Sequence, residues 1–119
     1  MRDYRELKVW ERGHELTLEV YRVTRAFPKD ELYGLVSQVR RAASSVPANI
    51  AEGCGRTGDK ELARFMTIAS GSAFELDYHF LLARDLGYLQ DEVYQALHTS
   101  VTEIRRMLNA FIQKLTANS

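Results

Sequence analysis

The side chains that could do chemistry are few and scattered. Gly53-Cys54-Gly55-Arg56-Thr57-Gly58 matches the G-x-G-x-x-G spacing of dinucleotide-binding turns. That fingerprint works only between a strand and a helix, where the helix N-terminus meets the pyrophosphate. Here a helical pattern precedes it, so the run reads as a glycine-rich turn between two helices. Glu11 and His14 have the Glu-x-x-His spacing that carries di-iron in some bundles. Such a site needs a second copy and two more inward glutamates. Leu76 and Gln95 stand three residues before His79 and His98, so no second copy occurs. Glu75 and His79, four apart, read as a pair on a helix surface. Cys54 has no histidine near it in sequence and reads as a small packed residue. No elbow motif surrounds any serine. These residues assign no catalytic group, no metal ligand and no cofactor, and the chain reads as a non-enzyme.

Two polar groupings remain. Arg40, Arg41, Arg56, Lys60 and Arg64 could form a basic path for the phosphates of RNA or DNA. Pairing with Glu52 and its neighbours is the competing reading, and charge balance favours it. Adjacent helical residues diverge by about 100°, so Arg40 and Arg41 must serve different neighbours. The second grouping is a seam. Gln38, Arg41, Ser45, Asn49, Glu52 and Arg56 recur at three- and four-residue steps, which is one line along a helix. It reads either as a solvated face or, through short Ser45 and Asn49, as a place where helices of different copies approach closely.

The elements that position these groups are all helical. Apolar residues at three- and four-residue steps predict helices over 4–26, 29–56, 58–86 and 91–116. Asp3 and Glu6 have the spacing of a capping box for the first, and Phe27-Pro28 ends it. The second takes its core face from Leu32, Leu35, Val36, Val39, Ala43, Val46 and Ile50. Pro47 lies inside it and leaves the carbonyl of Ala43 without a donor. A kink is expected there, relieved by the Ser44 and Ser45 hydroxyls. Gly87, followed by Tyr88, predicts a Schellman stop to the third. Residues 116–119 should fray. No alternating strand pattern appears. Long helices joined by tight turns predict one all-α domain, an up-down-up-down antiparallel four-helix bundle.

Helices 1 and 3 each carry two apolar stripes, more than the ~100° arc one buried side needs. On helix 1 they are Leu7, Trp10, His14, Leu18, Tyr21 and Val9, Gly13, Leu16, Val20, Val23. On helix 3 the second is Gly71, Phe74, Tyr78, Leu81, Leu82. The surplus predicts a homo-oligomer, with Val9, Leu16, Val20, Ser45, Asn49, Phe74 and Tyr78 as its interface. The 119 residues bear 16 basic and 16 acidic side chains, so no global field draws them to nucleic acid or an anionic membrane. One cysteine and no apolar leader or ~20-residue apolar run predict a protein of the cytoplasm without a membrane span.

A set of segments resembles a known family. They are Tyr4-Arg5-Glu6-Leu7-Lys8-Val9-Trp10, Phe27-Pro28 with Glu31 and Tyr33-Gly34-Leu35, the block from Gln38 to Gly53, Ala69-Ser70-Gly71-Ser72-Ala73 with Glu75-Leu76, and Leu86-Gly87-Tyr88-Leu89. Together they resemble the bacterial four-helix-bundle family encoded in intervening sequences of 23S ribosomal RNA genes. That family is similar in fold to the accessory variability determinant of diversity-generating retroelements, a barrel-shaped homopentamer that binds nucleic acid and a reverse transcriptase. The resemblance implies a homopentameric bundle associated with RNA or DNA. It implies no catalytic residue. A pure protein–protein scaffold is the alternative.

Overall fold

A computed structural model describes residues 2–117 of the chain. Four helices run α1 Lys8–Thr24, α2 Leu35–Cys54, α3 Asp59–Asp85 and α4 Asp91–Thr116. They form an antiparallel bundle measuring 46 × 22 × 20 Å. Each helix packs on its sequence neighbours, and α1 closes the square against α4. α1 and α3 lie diagonally across the bundle, their backbones not adjacent among the described residues. None of the helices is long and apolar enough to cross a membrane. Residues 118 and 119, part of the expected fraying end, lie outside the described residues, while Thr116 closes α4.

The first two helices begin later than the periodicity predicts. Asp3 caps a short 3-10 turn over Tyr4–Glu6, its carboxylate accepting from the Arg5 amide at 3.0 Å. Leu7 is then extended and α1 starts at Lys8. After Pro28 the chain makes another 3-10 turn, Lys29–Glu31, and α2 begins only beyond Gly34. The Glu31 carboxylate takes the Leu35 amide at 3.2 Å, satisfying one donor that the helix start leaves open. A Cβ on Gly34 would sit 2.8 Å from that same carboxylate oxygen, so a glycine makes room for the cap. Leu32 therefore falls outside the helix and is exposed, against its expected place in the core.

The interior is a single stack. Val20, Val39, Val46, Ile50, Met66, Leu76, Phe80, Val101, Ile104 and Leu108 are almost wholly shielded. Truncating one of the larger of these to Ala would cost roughly 2–5 kcal/mol. Two glycines set the spacing. A Cβ on Gly13 would lie 3.3 Å from Val46 Cγ1, and one on Gly53 would lie 2.8 Å from Phe65 Cβ. Both let helix backbones close up. The α3–α4 turn is a Schellman motif. The Tyr88 amide donates to Ala83 at 2.8 Å, Gly87 to Arg84 at 2.9 Å, and Gly87 has φ +83°.

Gly13 also decides which stripe of α1 turns inward. Val9, Leu16 and Val20 share its side and are buried in the chain's own core. This corrects the expectation that they face a neighbouring copy. His14, Leu18 and Tyr21, on the other stripe, are left outside.

Candidate interaction site

The basic residues do not form one path. Arg40 and Arg41 diverge as helical geometry requires. Arg40 turns back toward α1, with Nε donating to Thr24 Oγ1 at 2.9 Å and its guanidinium 4.6 Å from the Tyr21 ring centre. It is half-buried, and among the described residues no carboxylate pairs with it. Arg41 is exposed. Arg56 lies fifteen residues further along the chain, roughly 22 Å at helical rise. There Arg56 and Arg64 flank the Phe65 ring at 5.1 and 4.5 Å. Each is also tied to an acid, Arg56 to Glu52 at 2.9 Å and Arg64 to Glu61 at 3.1 Å. The hydrogen bond from Arg64 holds the Glu61 carboxyl below its usual range. Lys60 is exposed beside them.

The polar seam is used largely within the chain. Ser45 and Ser72 hydroxyls meet at 2.8 Å, joining α2 to α3. Asn49 Nδ2 donates to the Ser45 carbonyl at 2.8 Å and hydroxyl at 2.9 Å. Both side chains were expected between copies; the Ser45 hydroxyl has a partner across the α2–α3 contact, and the Asn49 amide has its partners on its own helix. His79 is buried, not on the surface as its spacing from Glu75 predicts, with Nε2 still 3.1 Å from that carboxylate. His14 stacks on Trp10 at 5.1 Å. Among the described residues no three His, Cys, Asp or Glu side chains gather as metal ligands. Cys54 is buried, and burial pushes its thiol up from the ordinary value.

Apolar surface remains outside on both diagonal helices. On α1 it is Leu18, 58 % exposed, with Tyr21. On α3 it is Phe74 and Tyr78, 59 % and 57 % exposed, with Ile68. The guanidinium of Arg105 lies 4.3 Å from the Phe74 ring centre and 3.7 Å from Asp77, which also takes His98 Nδ1 at 2.8 Å. Phe74 is thus backed by a cation that α4 holds in place. Gly71 sits mid-helix on the same outer side. A Cβ there would meet nothing within 4 Å. Unlike Gly13 and Gly53, it has no packing reason inside the chain.

A third exposed cluster was missed by the helical reading of 29–56. Leu32 and Tyr33, the latter 93 % exposed, stand at the entrance to α2 beside Arg25, Lys29, Arg40 and Arg41. The signal available was Pro28 followed by Gly34, which frees that segment from helical geometry.

The fold and surfaces define a class: an antiparallel four-helix bundle with apolar outer faces and no catalytic constellation among the described residues. The chain belongs to the 23S rRNA-intervening sequence protein family, which matches residues 5–110. It is similar in structure to a protein of unknown function from the S23 ribosomal protein family of Bacteroides thetaiotaomicron, at a TM-score of 0.82 and 22 % identity over 88 % of this chain and 98 % of that one. No curated protein matches the chain.

Proposed function

We propose that this chain is a non-enzymatic interaction module of the cytoplasm that assembles with copies of itself. The supporting observation is the pair of exposed faces, Leu18 with Tyr21 on α1 and Phe74 with Tyr78 on α3. Soluble monomers rarely leave large contiguous apolar patches in water. The two faces differ in composition and lie on diagonally opposed helices. A contact between unlike faces is head-to-tail, and a head-to-tail contact that closes makes a ring. Five subunits is the number the family resemblance implies. Light scattering at micromolar concentration tests the reading. A ring mass that falls to one subunit on Phe74→Glu/Tyr78→Glu supports it, and a monomeric wild-type chain overturns it.

Association with RNA or DNA is the second reading, favoured by Arg41 and Lys60. Alone among Arg40, Arg41, Arg56, Lys60 and Arg64, these two hold no ion pair or ring contact among the described residues. Salt-dependent retention of structured RNA or DNA, lost on Arg41→Ala/Lys60→Ala, is its signature. No retention at low salt leaves the pure protein–protein scaffold.

A further inference from the structure

We infer that the groove between the end of α1 and the start of α2 binds a short acidic peptide segment of a partner protein through Arg40. Two adjoining hollows of about 490 and 290 Å³ share Leu32, Val36 and Arg40. Arg25, Lys29 and Arg41 also line them, and among the described residues no acidic side chain lines either. In a chain of balanced charge this is a local excess of four cations. Of the two carboxylates nearest in sequence, Asp30 is exposed next to Lys29 in the chain and lines neither hollow, and Glu31 is engaged elsewhere. Its oxygens take the Tyr88 hydroxyl at 2.9 Å and the Leu35 amide at 3.2 Å.

Arg40 makes the site specific. The residue is half-buried, its guanidinium packed on Tyr21 with the Nη2 side exposed, and among the described residues it is bonded only to neutral acceptors, the Thr24 hydroxyl and, at 3.4 Å, the Tyr21 carbonyl. A guanidinium held in place on one side, open on the other and without a counter-ion favours an incoming carboxylate, which it can bind through paired N–H donors. The floor beside it is aliphatic and aromatic, from Val36, Leu32 and Phe27. The fitting ligand therefore carries an acid next to an apolar side chain. Nucleic acid fits less well. Beyond Arg41 the exposed side of α2 continues through Ser44, Ala48 and Glu52, so no track of cations extends along it. Nucleic-acid binders commonly neutralise about 6–10 phosphates.

The test is fluorescence anisotropy with a labelled short peptide in which glutamates alternate with leucines and phenylalanines. Saturable binding that weakens with salt is expected. The same peptide with glutamines should not bind. Arg25→Glu/Lys29→Glu/Arg41→Glu, all exposed positions, and separately Arg40→Gln should each weaken binding about tenfold or more. Circular dichroism checks that the variants keep their helices. Absence of binding at low salt overturns the inference, as does binding indifferent to the charge reversal. Tighter binding of an oligouridylate that displaces the peptide overturns it in favour of nucleic acid. Tyr21 borders both the groove and the α1 assembly face, so the titration is also run on the Phe74→Glu/Tyr78→Glu chain, in which no neighbouring copy covers the groove. A monomeric chain would refute the ring and leave the groove to be judged by the peptide alone.

Discussion

The Thr17 hydroxyl lies 3.0 Å from the carbonyl oxygen of Ala43, on the neighbouring helix. That carbonyl is the one Pro47 deprives of its helical donor. The same hydroxyl lies 2.8 Å from the Gly13 carbonyl of its own helix, so one proton serves two acceptors. α1 can come this close because Gly13 has no side chain to strike Val46 and Pro47. A proline inside a helix, a glycine and a threonine thus form one device that seats α1 on α2.

Replacing Thr17 with Val keeps the shape and removes the donor. The buried Ala43 carbonyl is then unsatisfied, at a cost of about 1–3 kcal/mol. In a Pro47→Ala background the amide at position 47 can donate to Ala43 again, so Thr17→Val should cost less there. A double-mutant cycle by urea unfolding should show a coupling of about 0.5–1.5 kcal/mol. Additive costs would mean that the hydroxyl does not answer the proline.

This device marks where the sequence was legible and where it stopped. The periodicity of α2 and the missing donor at Pro47 could be read directly. The donor itself could not, because Thr17 is twenty-six residues away and local reasoning pointed to Ser44 and Ser45. Ser44 instead donates to Arg41 at 3.3 Å, and Ser45 meets Ser72. The two stripes of α1 were visible, but hydrophobicity could not rank them; close approach at Gly13 did. The divergence of Arg40 and Arg41 followed from helical geometry alone. The basic groove was hidden because Lys29–Gly34 looks helical by composition, while Pro28 and the Glu31 cap at Gly34 hold it in a turn.

Glycines offer a contrast that stability measurements can resolve. Gly53→Ala improves helix propensity but drives a methyl to 2.8 Å from Phe65 Cβ. Overpacking of this kind costs about 1–3 kcal/mol, so the variant should unfold at lower urea. Gly71→Ala meets no atom and should stabilise an isolated chain by about 0.5–1 kcal/mol. Measured in the Phe74→Glu/Tyr78→Glu background, that gain reports the helix alone. In the otherwise wild-type chain the added methyl should weaken assembly if the outer side of α3 faces another copy. An unchanged assembly constant would remove Gly71 from that contact.

Tyr88 links the α3–α4 turn to the entrance of α2. Its hydroxyl donates to Glu31, and that hydrogen bond, with burial and the negative charge behind it, pushes the phenol above its ordinary value. The folded chain therefore holds the proton more tightly than the unfolded chain does. The stabilisation is complete below the unfolded value of about 10 and is lost as pH rises through the higher folded value. The stability difference between wild type and Tyr88→Phe should be constant near neutrality and shrink from about pH 9 upward. Thermal unfolding across that range checks it, and a difference independent of pH would rule out the linkage.

Cys54 provides a probe of how the ends of the bundle open. The thiol is buried, and burial keeps it protonated near neutral pH, so it is neither accessible nor nucleophilic in the folded chain. The chain from Arg2 onward passes beside it. The Arg2 amide donates to the Cys54 carbonyl at 3.0 Å, and the Arg2 guanidinium sits 5.5 Å from the Phe111 ring centre and 3.9 Å from Asp59. Labelling by a thiol reagent must then wait for an opening event. Its rate should be on the order of 10³-fold or more below that of the unfolded chain. Removing residues 1–6 should raise the rate in native buffer while far-ultraviolet circular dichroism stays helical, because only the covering strap is lost. If the truncated and full-length chains label equally slowly, the packing of α2 on α3 alone protects the thiol and the strap has no part in it.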